Sequence, residues 1–582
     1  MPPFQGSIGV KGDRVIAVGS FVGDAKELID GSGLTAVPGF IDSHSHLDQS
    51  VPFFPKCENL IMQGVTTGVA GHCGFTLAPL GDSVWLPGPG YGHMEPITEL
   101  IHHKIGYKYY PGMSLFSRDL VNDVMKEKFG WTIDWETMGD FFKFLESRGI
   151  SCNYAPIVGH GAVRTFVMRD SFKRQATKTE RAEMAGLIRQ AMDEGCIGLS
   201  VGLDYDPDCF ASREELVEHV SILRDYQGVF CPHSRRTGRR RDMAAGHRMP
   251  DKTDAIQEVL DICRAAGVRM NIAHFYTGWY INPQGGPEIL EQANREATLG
   301  IIDKALKEGL DVSFDAIPSA LSTAFGGWSY LCAQFAPWLR ELGSRAEFAK
   351  WLKVADFREE IKDAISKGRW YMRETLNPNV NPRWAENITV LRHTSYGCEN
   401  KSLAKIAEER RRNAFDVWFD LIAEDPDSKC AIGGGENPMA FYHATFYKHP
   451  VASVGLDTTV VDYQWDSQVP PWSPHGISTF SAFVGFFDKF VNKQKELTIE
   501  QAVIKSSTQT AKRFNLKGRG VIQEGSYADI VLMDLSSLEV TGSPLEPKQQ
   551  PKGINYVFVN GIAVVKDSKH TGATPGRVLR RG

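Results

Sequence analysis

One alternation constrains this chain more than any other feature. From about residue 37 to 480, short apolar runs rich in β-branched residues are separated by amphipathic stretches. "GVTTGVAGH", "CNYAPIVGH", "GCIGLSVG", "GVFCPHS", "VRMNIAHF" and "LDVSFDAI" are of the first kind; "KTERAEMAGLIRQAMDEG" and "DAIQEVLDICRAAG" are of the second. Strands that alternate with helices are joined by crossovers, and crossovers set strands parallel. The number of such units is about that of a (β/α)8 barrel, so the predicted class is α/β with a TIM-like barrel.

Both ends break the pattern. "SIGVKGDRVIAVG" alternates apolar and polar residues and breaks at Gly12-Asp13, a hairpin signal. "GVIQEGSYADIVLMDLSSLEV" and "GINYVFVNGIAVVKD" are strand-rich, with a second hairpin signal at Asn560-Gly561. These runs predict a small β-sandwich domain built from residues 1–36 and 516–582. It would flank a barrel over 37–480 whose terminal helices lie in 481–515. An insert from about Leu80 to Lys128, with several Gly, Pro and aromatic residues, reads equally as a lid over the barrel mouth or as a surface excursion.

Bulk properties exclude several functions. A formal charge of -5 and a pI of about 6.4 provide no basic field for nucleic acid. The one basic run, "RRTGRRRDM" from Arg235 to Met243, is short and reads as a solvated loop rather than a phosphate patch. No window approaches the apolar length of a membrane span, and "MPPFQGSIGVKGD" lacks the charged and apolar regions of a signal peptide. Ten cysteines without paired spacing fit a reducing cytoplasm. A small-molecule substrate is therefore the expected partner, with neither nucleic acid nor membrane.

The functional face of a barrel of this kind lies where strands end and the next loops begin. The run "VPGFIDSHSHLDQS" ends in His44 and His46. Residues i and i+2 of a strand share a face, so the two imidazoles aim at one spot. Other runs end at Cys73, His233, His274 and Asp457. Singly, each has an ordinary explanation: a small buried thiol, a core histidine, a helix N-cap. Jointly, at the junctions of one barrel, they are the groups that bind zinc. A carboxylate beside a metal site can also hold water and move its proton.

These residues lie in a longer ordered series. "PGFIDSHSH", "GVTTGVAGHCGFTLAP", "VGHGAVR", "GLSVGLDYDP", "HSR", "AHF", "HPVASVGLD", "GRGVIQEGSYADIVLMD" and "VNGIAVV…PGRVLRRG" follow one another along nearly the whole chain. In this the chain resembles the amidohydrolase superfamily, specifically the N-acyl-D-amino-acid deacylase branch. The resemblance implies a zinc hydrolase of carbon–nitrogen bonds. It implies that Cys73, His233 and His274 hold one zinc tightly. It also implies a second site, weak or empty, formed by His44, His46 and Asp457 with Cys73 bridging. Asp457 would be general base and then general acid, and Tyr205 would hydrogen-bond the substrate carbonyl. For Tyr205 a plain packed tyrosine is the alternative.

The substrate-binding positions depart from the family. Tyr276, in "AHFYTG", stands where the family has a carboxylate-pairing lysine. Ile317 and Ser319 replace two tyrosines, and His475 stands at an arginine position. Charge-assisted hydrogen bonds contribute roughly 1.5–3 kcal/mol each, so losing two fixed cations would spoil recognition of a free α-carboxylate. Phe275, Tyr276, Trp279, Tyr280, Phe325, Trp328, Tyr330, Trp465 and Trp472 crowd the same segments. They suggest an apolar or aromatic substrate unless they are core packing, and the basic run after His233 offers a replacement anion clamp. Two other readings stay open: hydrolysis of a cyclic amide or ester by the same centre, and a non-catalytic barrel kept as a binding or assembly subunit. Relative to the family, the chain opens one strand late, at "MPPFQG". An unpaired sheet edge invites a second chain, so a homo-oligomer is expected.

Overall fold

The computed structural model describes residues 4–21, 23–87, 97, 100–101, 113–235, 252–275, 288–318, 330–370, 376–379, 381–432, 444–466, 475–543 and 546–581. Parallel pairing runs through the α/β part in chain order. Phe40–Ser45 pairs with Val65–Ala70, which pairs with Asn153–Pro156. That run continues as Val158–Gly159, which pairs with Gly198–Gly202. Val229–His233, Arg269–Ile272, Val312–Ala316 and Ala452–Val454 follow, each beside the one before. The last returns to the first. Asp457 N–H donates to the His44 carbonyl at 2.8 Å, and His46 N–H donates to the Thr458 carbonyl at 2.8 Å.

Every residue of Phe40–Ser45, Val65–Ala70, Gly198–Gly202, Val229–His233 and Val312–Ala316 is buried. Parallel strands reach this state when crossover helices cover one face and the strands' own side chains fill the other. The helix Lys178–Asp193 is such a crossover. Thr177 and Glu180 close a capping box at its start, and Met184, Ile188 and Met192 form its buried face. Among the described residues no helix is long and apolar enough to cross a membrane.

Between Val312–Ala316 and Ala452–Val454 the chain builds something the alternation did not announce. Residues from Tyr330 to Cys430 close a hydrophobic core of their own around Phe335, Phe348 and Trp418. Its sheet is antiparallel, with Ile388–Arg392 between Lys401–Ser402 and Lys429–Ile432. In the region of the Leu80–Lys128 insert, Ser83–Pro87 pairs antiparallel with Met113–Ser117, and the helix Arg118–Phe129 follows.

The chain ends meet. Thr35–Pro38 forms the edge of an antiparallel sheet with Ile530–Met533, Ile554–Val559, Ile562–Lys566 and Lys569–His570. Both predicted hairpins form: Ser7–Lys11 pairs with Arg14–Gly19, and Asn560-Gly561 turns Ile554–Val559 into Ile562–Lys566. The two turns touch. A Cβ on Gly561 would meet the Gly12 carbonyl oxygen at 2.0 Å, and the residue's φ of +80° is one that glycine adopts freely.

A buried ion pair ties this sheet to the parallel strands. Arg519 pairs with Asp529, donates to Asn560 Oδ1 at 2.9 Å and lies over the Tyr527 ring. Asn560 Nδ2 in turn donates to Asn153 Oδ1 at 2.8 Å. Removing the cation strands a buried carboxylate, so Arg519→Ala should cost about 3–5 kcal/mol. Urea denaturation of the variant beside the parent protein measures this.

Candidate metal centre

Strand ends and the turns after them aim one cluster of side chains inward. His44 and His46 straddle the end of Phe40–Ser45, and Cys73 follows Val65–Ala70. His233 ends Val229–His233, while His274 and Asp457 lie just past their strands. Three of these residues take left-handed backbone angles: Cys73 at φ +60°, His274 at +34° and Asp457 at +56°. Such angles are strained for side chains other than glycine and are retained where surrounding structure holds them, typically at functional sites.

The donor atoms fall into two groups that share one sulfur. Cys73 with His233 and His274 forms the first, and Cys73 with His44, His46 and Asp457 the second, all atoms of each lying within 4.8 Å of one another. Cys73 Sγ is 3.4 Å from His44 Nε2, 3.4 Å from His233 Nδ1 and 3.7 Å from His274 Nε2. Ligands on a tetrahedral zinc, with bonds of about 2.3 Å to sulfur and about 2.0 Å to nitrogen, stand about 3.5 Å apart. The sulfur–nitrogen spacings fit. His233 Nδ1 and His274 Nε2, at 2.8 Å, are at hydrogen-bond distance and would part slightly around an ion. Asp457 Oδ1 lies 3.1 Å from His46 Nε2 and 3.3 Å from His44 Nε2. Its side chain is 19% exposed while that of His44 is 0%, so Asp457 is the most exposed member of the cluster.

The electrostatics follow from burying opposite charges together. Burial drives the Cys73 thiol up, but His44 and His233 pull it down further, and it ends well below an ordinary thiol. Burial likewise raises Asp457, and His44 and His274 more than reverse this, leaving it well below the usual carboxylate range. Burial lowers His46, and its hydrogen bonds to Asp457 and Cys73 overcome that, carrying it to about 9. The cluster therefore holds anions and protons where a metal cation fits: a thiolate, a carboxylate and imidazoles are zinc's donor set.

A second layer orients the first. Asp315 Oδ1 lies 3.4 Å from His44 Nδ1 and accepts from the His274 backbone N–H at 2.7 Å, while Asn271 donates to Oδ2 at 2.8 Å. Gln49 approaches His46 Nδ1 at 3.5 Å, and Asp204 lies 3.8 Å from His233 Nε2. Groups in such places fix ring orientation. Sequence reasoning passed over all of them. Asp315 had a legible signal, an acid at the end of "DVSFDA"; Gln49 and Asn271 had none.

Of the remaining candidates, Tyr205 joins the cluster. Its hydroxyl donates to the Cys73 carbonyl at 3.1 Å and lies 3.3 Å from His233 Nδ1. His475 sits edge-on to Trp465 and Phe480, with ring centroids at 5.7 and 6.0 Å. Tyr276 and Ser319 lie outside the described residues, as do Trp279, Tyr280, Phe325, Trp328 and Trp472. Among the aromatics that are described, Phe275 packs on Phe314 at 4.6 Å and Tyr330 is 1% exposed within the second core. Those two are packing residues. Arg235, the first residue past "HS" that could clamp an anion, pairs with Glu258 at 2.9 Å and donates to the Leu203 and Cys209 carbonyls.

No family model matches the chain. It is 26% identical to a D-aminoacylase of Alcaligenes xylosoxydans xylosoxydans, the alignment covering 100% of this chain and 94% of that protein. A crystal structure of D-aminoacylase superposes with a TM-score of 0.66 at 24% identity, covering 100% of this chain and 96% of the other. The N-acyl-D-glutamate deacylase of Bordetella bronchiseptica was solved with zinc and a phosphonate mimic of the tetrahedral intermediate. It superposes at 0.65 with 22% identity, over 98% of this chain and 95% of that one. The chain is thus similar along its given length to a D-aminoacylase and shares the D-aminoacylase fold.

Proposed function

We propose that this protein is a zinc-dependent amidohydrolase that cleaves an amide-type carbon–nitrogen bond. The observation that carries this reading is the convergence of two donor groups on the single sulfur of Cys73. The ring of eight parallel runs that brings them together is read as a (β/α)8 barrel, and the sheet made from both chain ends as one layer of a small β-sandwich. Ten buried free thiols suit a reducing compartment such as the cytoplasm.

Cys73, His233 and His274 are assigned as the tight site, with His44, His46 and Asp457 completing a second, weaker one. A bound divalent ion supplies two things here: it lowers the pKa of a coordinated water towards about 7, and it polarises a carbonyl oxygen. The chain's own residues do the rest. Asp457, an ionised carboxylate facing solvent, accepts the proton of the attacking water and then returns it to the departing nitrogen. His44 and His46 hold that carboxylate in place through its Oδ1. Tyr205 stands beside His233. Its hydroxyl can steady a developing oxyanion if it exchanges the Cys73 carbonyl for that partner.

The substrate is read as lacking the free α-carboxylate of an N-acyl-D-amino acid. Tyr276 and His475 replace two fixed cations, and the pairing of Arg235 with Glu258 removes one substitute for them. The non-catalytic alternative is disfavoured because a scaffold has no use for a buried thiolate ringed by imidazoles.

Three measurements test these readings. Asp457→Asn should retain metal at the Cys73–His233–His274 site by elemental analysis while kcat falls at least about 100-fold; undiminished turnover would refute the role. An uncharged aryl amide should be hydrolysed more efficiently than N-acetyl-D-methionine, and the reverse order would restore the carboxylate reading. Filling the second site must displace the proton that Asp457 and Cys73 hold on His46, which is raised to about 9. Calorimetric zinc titrations should therefore show proton release in the weaker binding step, and the apparent affinity of that step should fall steadily as pH drops below that value.

A further inference from the structure

Against the Cys73 turn lies a second buried group of titratable side chains, to which the proposed reaction gives no role. His160 begins the helix His160–Met168 and is engaged at both ring nitrogens. Nδ1 is 2.8 Å from Asp208 Oδ1, and Nε2 is 2.9 Å from His219 Nδ1. His219 Nε2 is 2.9 Å from the Arg181 carbonyl oxygen. Glu215 Oε1 lies 3.6 Å from His160 Nε2 and pairs with Arg164, which is fully buried. His160, His219 and Glu215 are all 0% exposed, and Asp208 is 1% exposed.

Counting hydrogens decides what these contacts are. A backbone carbonyl only accepts, so His219 Nε2 carries a hydrogen. A neutral His219 then offers a lone pair at Nδ1, and the 2.9 Å contact takes its hydrogen from His160 Nε2. The contact to Asp208 needs one more. Three hydrogen bonds in series need three hydrogens, and two neutral imidazoles carry only two. His160 and Asp208 hold the extra one between them, so the pair carries no net charge. Burial first, and the neighbouring His160 second, hold His219 down at about 3, so His219 stays neutral.

Charge bookkeeping agrees. His160 cancels Asp208 and Arg164 cancels Glu215, so the buried group sums to zero. The donors of His160, Glu215 and His219 are also close enough together to hold a metal. A divalent ion there would leave net positive charge in a fully buried place, with Arg164 already on the carboxylate, and burying unbalanced charge is costly.

The group touches the metal cluster through backbone. Asp208 Oδ2 accepts from the Gly202 N–H at 2.8 Å, where the strand ends ahead of Tyr205. A Cβ on Gly74 would meet that same oxygen at 2.4 Å, so the carboxylate lies directly against the residue after Cys73. The Ala162 N–H, from the first turn of the His160 helix, donates to the Gly74 carbonyl at 3.1 Å. We propose that His160, locked between Asp208 and His219, is a positioning residue that sets Cys73 and Tyr205 in place through Gly74 and Gly202. The inference rests on the reading of Cys73 as a metal ligand for its effect on that centre, but not for the hydrogen count.

Neutron diffraction of the full-length zinc-loaded protein, exchanged into heavy water near neutral pD, tests the lock directly. Deuterons are expected between His160 Nδ1 and Asp208, on His160 Nε2, and on Nε2 alone of His219. No deuteron between His160 and Asp208, or an ion between the rings, would overturn it. The positioning role is read in cobalt-loaded His160→Gln. With unchanged cobalt stoichiometry, the thiolate-to-cobalt absorption should shift, and kcat should fall about 10- to 100-fold, as for other outer-layer changes. Asp208→Asn, which keeps the side-chain shape, should give the same shift and serves if the first variant does not fold. An unmoved band in a folded variant would sink the positioning role. If the parent protein bound no cobalt at all, the metal-centre reading and with it the positioning role would fail, while the deuteron count would still judge the lock.

Discussion

A thiolate taken out of water has to be surrounded by positive charge or by a metal, and that requirement organises the centre of this protein. Cys73 is 4% exposed, with His44, His233 and His274 all within 3.7 Å of its sulfur. The imidazoles hold the sulfur ionised against burial; Asp315, then the sulfur and Asp457, hold a proton on His44, and Asp457 and the sulfur hold one on His46. Each partner is stabilised in its charged form only because the others are present. The left-handed angles at Cys73, His274 and Asp457 belong to the same constraint, since they aim three donors at one point at the expense of backbone strain.

Further out, burial pushes carboxylates towards neutrality. Asp42 and Asp48 flank the two strand-end histidines, are fully buried, and are driven up to about 7 by loss of water. Each spends one oxygen, Oδ1, on backbone N–H groups: Asp42 on those of His44 and Leu456, Asp48 on that of Gly71. They hold the turns that carry the donors rather than acting as donors. Asp315 does the same for His274 while also facing His44. His72, stacked on His44 at 4.1 Å, is kept well below ordinary histidine by burial and then by the charge on His44. The centre is thus layered: charged groups meet at the middle, and nearly neutral ones secure the backbone around them.

Much of this was legible in the residues. The strand–helix alternation is a local pattern, set by which side chains suit a covered pleat and which suit an amphipathic helix. It announced the parallel runs, and the dipeptides at Gly12-Asp13 and Asn560-Gly561 announced their hairpins because so few residues tolerate those angles. The second core between Tyr330 and Cys430 left no such mark. Its helices and short strands look locally like more of the same alternation, and only their packing on one another separates them. For two of the aromatics near the substrate positions, core packing is the reading that holds, for a related reason. Phe275 and Tyr330 are in the core, and an aromatic in a sequence carries no label for which side it faces.

The amino-acid sequence by itself determined the donor chemistry. It supplied four histidines, a cysteine and an aspartate at strand ends, in an order that resembles one enzyme family. Only the tertiary structure decided that Asp457 is the most exposed of them and that His160 is pinned between Asp208 and His219. The reason is distance along the chain. Spacing of two residues fixes His44 beside His46 through the pleat, but His44 and Asp457 are brought together by the return of the last parallel run to the first. Contacts of that length are set by how the whole sheet closes, which no short window of sequence contains.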